Sequence, residues 1–236
     1  MDKDLTFVGH LEELRRRIIV SLIFITIVSV LAFPCASKIL AILKIPSAGF
    51  IGKLVFFDPQ EAFLIHIKIA FFAGLAVSMP VILYQLWAFI SPAIETNTKK
   101  IGSLFLFFSV GAFASGVSFG FFILLPAALK FLLSFSGNNL EPLISASNYI
   151  SFVLGLTLGC GLVFEMPVLS FILSKIGIIN YRFLRKMWKY AVIVIFIMAA
   201  IVTPSPDVFN MTIIAMPMLF LYELSIWISK FSGRKN

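Results

Sequence analysis

Apolar and polar positions alternate along this chain in long blocks. Six apolar segments run at 17–39, 63–90, 101–131, 150–174, 188–203 and 208–228, each bounded by charge, proline or a Ser/Asn/Gly cluster. Runs of this length predict membrane-spanning helices, since a helix needs about 20 apolar residues to cross roughly 30 Å of hydrocarbon. Barrel strands need short alternating runs, which are absent. Ahead of the first span, residues 1–16 read as an amphipathic segment, with Phe7, Leu11, Leu14 and Ile18 at helical spacing. The outer loops, about 40–62 and 132–149, are rather apolar and predict short helical pieces capping the bundle.

The last two segments are short. Tyr190 to Thr203 spans about 21 Å as a helix, and Glu223 interrupts the sixth run before Trp227. Either the bilayer thins beside this hairpin, or Met187 and Trp188 extend the fifth span. Proline follows methionine in three spans, at Met79-Pro80, Met166-Pro167 and Met216-Pro217, and Pro126 interrupts a fourth. Each removes a backbone donor and predicts a kinked helix and a curved bundle. A faded parallel repeat and coincidence both account for the Met-Pro pairs.

Composition fits. The chain has 236 residues, is 60% hydrophobic and has a mean hydropathy of +1.04, which excludes a soluble domain. Its net charge of +8 is not a nucleic-acid signal, because the basic residues cluster at the ends of spans. Fourteen lysines and arginines fall on the side of the two termini and four on the other, which places both termini in the cytoplasm. Trp87, Trp188 and Trp227 sit at that side's span ends, where indole rings favour the interface. The leading segment carries Asp2, Asp4, Glu12 and Glu13 and reads as a retained span rather than a cleaved signal. Two cysteines imply no disulfide framework, and no residue spacing implies a metal, a cofactor or hydrolytic catalysis.

The candidate chemistry is carboxylate chemistry. Glu165 is the one charged side chain between Ile150 and Ser174, and a carboxylate at that depth costs at least roughly 2.5 kcal/mol. Lys68 and Glu223 lie nearer the ends of their spans and have a cheaper explanation in snorkelling. On the cytoplasmic side, Glu12 and Glu13 either pair with Arg16 and Arg17 at i,i+4 or receive an incoming cation. Glu95, in the 91–100 loop, is a further acid that a guanidinium could engage with its two-pronged fork.

Four ordered motifs carry a family resemblance. They are His10-Leu11-Glu12-Glu13-Leu14-Arg15-Arg16-Arg17; Pro80 to Ile90 with Pro92-Ala93; Ser151-Phe152 onward to Phe164-Glu165-Met166-Pro167-Val168; and Thr203-Pro204-Ser205-Pro206-Asp207-Val208-Phe209. Over nearly its whole length the chain resembles TatC, the multispanning core subunit of the twin-arginine protein translocase. The resemblance implies an all-α, glove-shaped fold of six transmembrane helices in the bacterial cytoplasmic membrane, without enzymatic activity or cofactor. It implies that Leu11, Glu13, Arg15 and Phe89 bind twin-arginine signal peptides of folded precursors, for export driven by the proton-motive force. Glu165 corresponds to the family's intramembrane glutamate, a polar point on the concave face. The implied partners are single-span TatA/TatB subunits, seated near Thr203, Pro204, Asp207 and Met211, and further copies of the chain. Two departures stand out. Thr98 occupies the place of a loop glutamate, with Glu95 one helical turn earlier. Met211 stands where the family has glutamine. The rival reading is a proton- or ion-coupled secondary transporter using Glu165 and Lys68.

Overall fold

The computed structural model describes residues 7–49, 51, 54–93, 98–134, 143–202 and 208–232. Helix α1 (Phe7–Ala32) carries the amphipathic segment straight into the first span. A 3-10 turn at Phe33–Cys35, with Pro34 at its start, leads into α2 (Ala36–Leu43). The second span is α3 (Glu61–Ile90), and the third is α4 (Thr98–Phe119) continued by α5 (Leu125–Ser134). The fourth span is α6 (Ala146–Phe164) followed by α7 (Met166–Lys175). A short α8 (Tyr181–Lys186) precedes α9 (Trp188–Val202) and α10 (Val208–Ser232). Five of these rods are long and apolar enough to cross a membrane, and Trp188–Ala200 adds a shorter apolar helix. The chain is an all-α polytopic membrane protein.

Proline sets the irregularities. Pro167 has no N–H to give Val163, so the helix breaks at Glu165, whose own N–H reaches Leu162 O at 3.2 Å. Pro126 follows a π-helical turn, Gly120–Leu124, that widens the third span just where the ring would meet the preceding carbonyls. Pro80 is carried within α3. After α7, Gly177 takes a φ of +82°, and Ile178 N bonds Leu173 O at 3.0 Å while Gly177 N bonds Ser174 O at 3.2 Å. This is a Schellman ending, and it turns the chain sharply into α8.

Close backbone approach holds the spans together. A Cβ on Gly74 of α3 would sit 2.1 Å from Ser29 Oγ of α1, and one on Gly116 of α4 would sit 2.6 Å from the Cys160 carbonyl of α6. Small residues at such crossings give membrane helices their van der Waals contact, since lipid provides no hydrophobic drive between helices. The main core gathers Ile69, Leu125, Ile150, Val153 and Leu156, all nearly or fully buried, from α3, α5 and α6.

The described parts of the 40–62 and 132–149 loops pack at one end of the bundle. Besides α2 there is a 3-10 turn at Ile45–Ser47, and the Tyr149 hydroxyl of α6 donates to Leu43 O at 2.8 Å. Two short strands, β1 (Leu54–Val55) and β2 (Ile144–Ser145), pair in parallel and join the two loops.

Two expectations need correction. Trp87 is buried at 7% exposure rather than lying in an interfacial belt: it stacks on Phe105 at 5.4 Å and fills the space left by Gly102, whereas Trp188 and Trp227 are exposed. The sixth helix is also longer than its apolar run. It spans 25 residues and continues past Glu223, whose carboxylate accepts two bonds from Arg185 of α8, at 2.7 and 3.0 Å. The fifth is short at 15 residues; Met187 marks a bend, and α8 leads into α9 there through Ala191 N to Met187 O at 2.9 Å.

Candidate functional site

At the end of the bundle that carries the start of α1, this helix packs along the last turns of α3. Glu13 is partly exposed and accepts from Arg17 Nε at 3.2 Å and also from Arg17 Nη2. The same guanidinium donates to Gln85 Oε1 of α3 at 3.4 Å. His10 lies with its ring centroid 4.7 Å from that of Phe89 and its Nδ1 4.0 Å from Glu13. Leu11 is 50% exposed, and Arg15 and Glu12 are exposed. Beside them a cleft of about 220 Å³ opens between the helices, lined by Leu14, Arg17, Ile18, Gln85 and Phe89 among others.

Local sequence explains this arrangement. Residues 10, 13 and 17 share one helical face, so the acid meets both bases on the side turned to α3. Of the two i,i+4 pairs read from the sequence, Glu13–Arg17 forms, and no Glu12–Arg16 pair is found among the described residues. The structure therefore brings Glu13 close to Phe89 through the His10 ring, while Leu11 and Arg15 lie on the exposed side of α1. Thr98 is the first residue of α4, on the neighbouring helix. Glu95 lies outside the described residues, as do Thr203, Pro204 and Asp207. Met211, in the first turn of α10, packs partly buried against the main core. Gln85 and His10 are members of this site that charge patterns alone did not single out; their i+4 spacing to Phe89 and near-i+4 spacing to Glu13 were the available signals.

Glu165 is placed differently from the expectation of a polar point on the concave face. It is 2% exposed, and neither carboxylate oxygen has a hydrogen-bond partner. Ser109 of α4 faces it closely enough to interact without meeting hydrogen-bond geometry, and that hydroxyl is buried too. Its backbone stays helical, at φ −72° and ψ −21°, and the side chain is buried at the joint between α6 and α7.

Lys68 does not meet Glu165. Its ammonium donates to Ser147 Oγ at 2.9 Å and Ser151 Oγ at 3.0 Å, near the start of α6. Ser151 to Glu165 is about 21 Å of helix rise. A coupled acid–base pair within the bilayer, which the transporter reading needs, is therefore not formed.

Comparison with known proteins agrees with this architecture. The family model for the Sec-independent protein translocase protein (TatC) matches residues 9–217. The chain is 42% identical over 235 residues to the Sec-independent protein translocase protein TatC of Carboxydothermus hydrogenoformans, covering 100% of this chain and 97% of that one. It is 40% identical over 231 residues to the TatC of Aquifex aeolicus, covering 96% and 95%. A crystal structure described as the twin arginine translocase receptor TatC superposes with a TM-score of 0.88 at 39% identity, covering 94% of this chain and 99% of that one. By fold, by length and by sequence, the chain belongs to the TatC family of Sec-independent protein translocase proteins.

Proposed function

We propose that this chain is the receptor and core subunit that recognises twin-arginine signal peptides of folded precursors. Membership in the family makes it a component of Sec-independent, twin-arginine protein translocation. The finer reading rests on one observation: Glu13 is already matched to a guanidinium, that of Arg17, at a partly exposed position next to His10 and the cleft that Arg17 and Phe89 line. An incoming arginine competes for the same fork geometry, which a lysine ammonium cannot reproduce. Leu11 and Phe89 offer apolar contact to the residues flanking the arginine pair. Arg15, turned outward, meets acidic groups of the precursor, and Glu95 with Thr98 completes the surface from the loop.

In this reading the recognition end faces the cytoplasm with both termini, in the bacterial cytoplasmic membrane, as the lysine and arginine bias supports. Residues 1–16 serve as the cytoplasmic segment ahead of six spans. Single-span TatA/TatB-type subunits supply helices beside the short α9 and the start of α10, around Thr203, Pro204, Asp207 and Met211, and several copies of the chain assemble into the receptor complex. The proton-motive force drives passage. Glu165 acts after recognition, when separation of α4 from α7 admits donors to its carboxylate.

Site-specific photocrosslinking in membranes tests the recognition step. A probe at position 11, which leaves Glu13 and Glu95 in place, is expected to capture a precursor bearing Arg-Arg and to capture its Lys-Lys version far less. Equal capture of the two overturns the assignment.

A further inference from the structure

Among the described residues the cation at Lys68 is held but not neutralised. Two neutral hydroxyls, Ser147 and Ser151 of α6, accept its protons at 2.9 and 3.0 Å, and no carboxylate lies within ion-pair distance among the described residues. Glu61, two turns away on α3, accepts from Ser145 Oγ at 2.7 Å and from Phe57 N at 2.8 Å. The ammonium keeps a third proton, and each serine keeps its own O–H to donate. Three donor groups from two helices therefore lie close together.

Depth decides what meets them. Helix α3 has 30 residues and is about 45 Å long, so when centred it overhangs roughly 30 Å of hydrocarbon by about 7 Å at each end. Lys68 lies about 10 Å from the Glu61 end, just inside the hydrocarbon boundary and within reach of lipid phosphates. Leu64 and Phe71, on the turns above and below, are exposed at 44% and 50%, so the surroundings are those of acyl chains. In such a medium an uncompensated ammonium attracts a phosphate strongly.

We propose that Lys68, Ser147 and Ser151 bind the phosphate of an anionic phospholipid in the leaflet on the α2 side of the bundle. The lipid is anionic because a zwitterionic headgroup already pairs its phosphate with its own cation. Its acyl chains lie along the exposed face of α3 at Leu64 and Phe71.

Native mass spectrometry of the whole chain in detergent, given equal amounts of phosphatidylglycerol and phosphatidylcholine with matched chains, tests this. The wild type is expected to retain phosphatidylglycerol about fivefold over phosphatidylcholine. Lys68→Ala is expected to lose the preference, and Lys130→Ala, an exposed cation on α5 at the same end, to keep it. The Ser147→Ala/Ser151→Ala double variant, which leaves the ammonium in place, is expected to reduce the preference about twofold. An undiminished preference in either the Lys68 or the serine variant overturns the site. So does a wild type without preference, the result expected if a carboxylate of a partner helix is the natural occupant. Displacement of the lipid by an equal concentration of inorganic phosphate overturns the lipid as its ligand in favour of a soluble anion.

Discussion

Glu13 and Glu165 sit in opposite circumstances. Glu13 has a guanidinium partner and access to solvent, whereas Glu165 is sealed in with no hydrogen bond to its carboxylate among the described residues. A charge-assisted hydrogen bond is worth about 1.5–3 kcal/mol, so Glu13→Ala is expected to lower capture of an Arg-Arg precursor roughly tenfold or more. Glu165→Ala is expected to leave that capture intact while export into sealed vesicles falls; unchanged export removes Glu165 from the passage step. The depth of Glu165 was legible because an acid inside an apolar run is conspicuous in any sequence. Its enclosure was not, since periodicity does not say which neighbouring helix covers a position. The Arg185–Glu223 bond was hidden for a similar reason: its partners are 38 residues apart and meet only through the turn at Gly177.

At the scale of the helices, the spans themselves were readable from hydropathy, and the prolines announced where they would bend. What the prolines did not announce is the form of each bend: a broken joint at Glu165, a π-helical turn before Pro126 and a continuous α3 through Pro80. The tight crossing of α4 and α6 predicts a contrast between two glycines on one helix. Gly116→Ala drives a methyl against the Cys160 carbonyl and is expected to cost about 1–3 kcal/mol, seen as a lower thermal unfolding midpoint in detergent. Gly111→Ala meets nothing within 4 Å and is expected to be neutral or slightly stabilising. Equal effects would contradict the crossing. Helix α9, at 15 residues, rises about 22 Å against roughly 30 Å of hydrocarbon. A lipid-resolved measurement is expected to find the bilayer thinned beside it, and normal thickness there would count against the short fifth span.

For the molecule as a whole, the structure separates its polar chemistry by level. Recognition groups lie at the end shared by α1 and the last turns of α3. Glu165 lies at mid-depth, and the Lys68 cluster lies near the opposite end beneath the cap of α2, β1 and β2. The strand pairing in that cap is the part the sequence conveyed least, because matching Leu54 with Ile144 depends on bringing together loops far apart in the chain. This layering predicts that specificity for paired arginines resides at one end alone. The most direct measurement is the affinity of the purified chain, in nanodiscs, for a signal peptide bearing Arg-Arg and for its Lys-Lys counterpart, with and without Glu13→Ala. The account predicts tighter binding of the Arg-Arg peptide, a preference that collapses when Glu13 is removed and persists when Glu165 is removed. Equal affinity for the two peptides, or a preference untouched by Glu13→Ala, would contradict it.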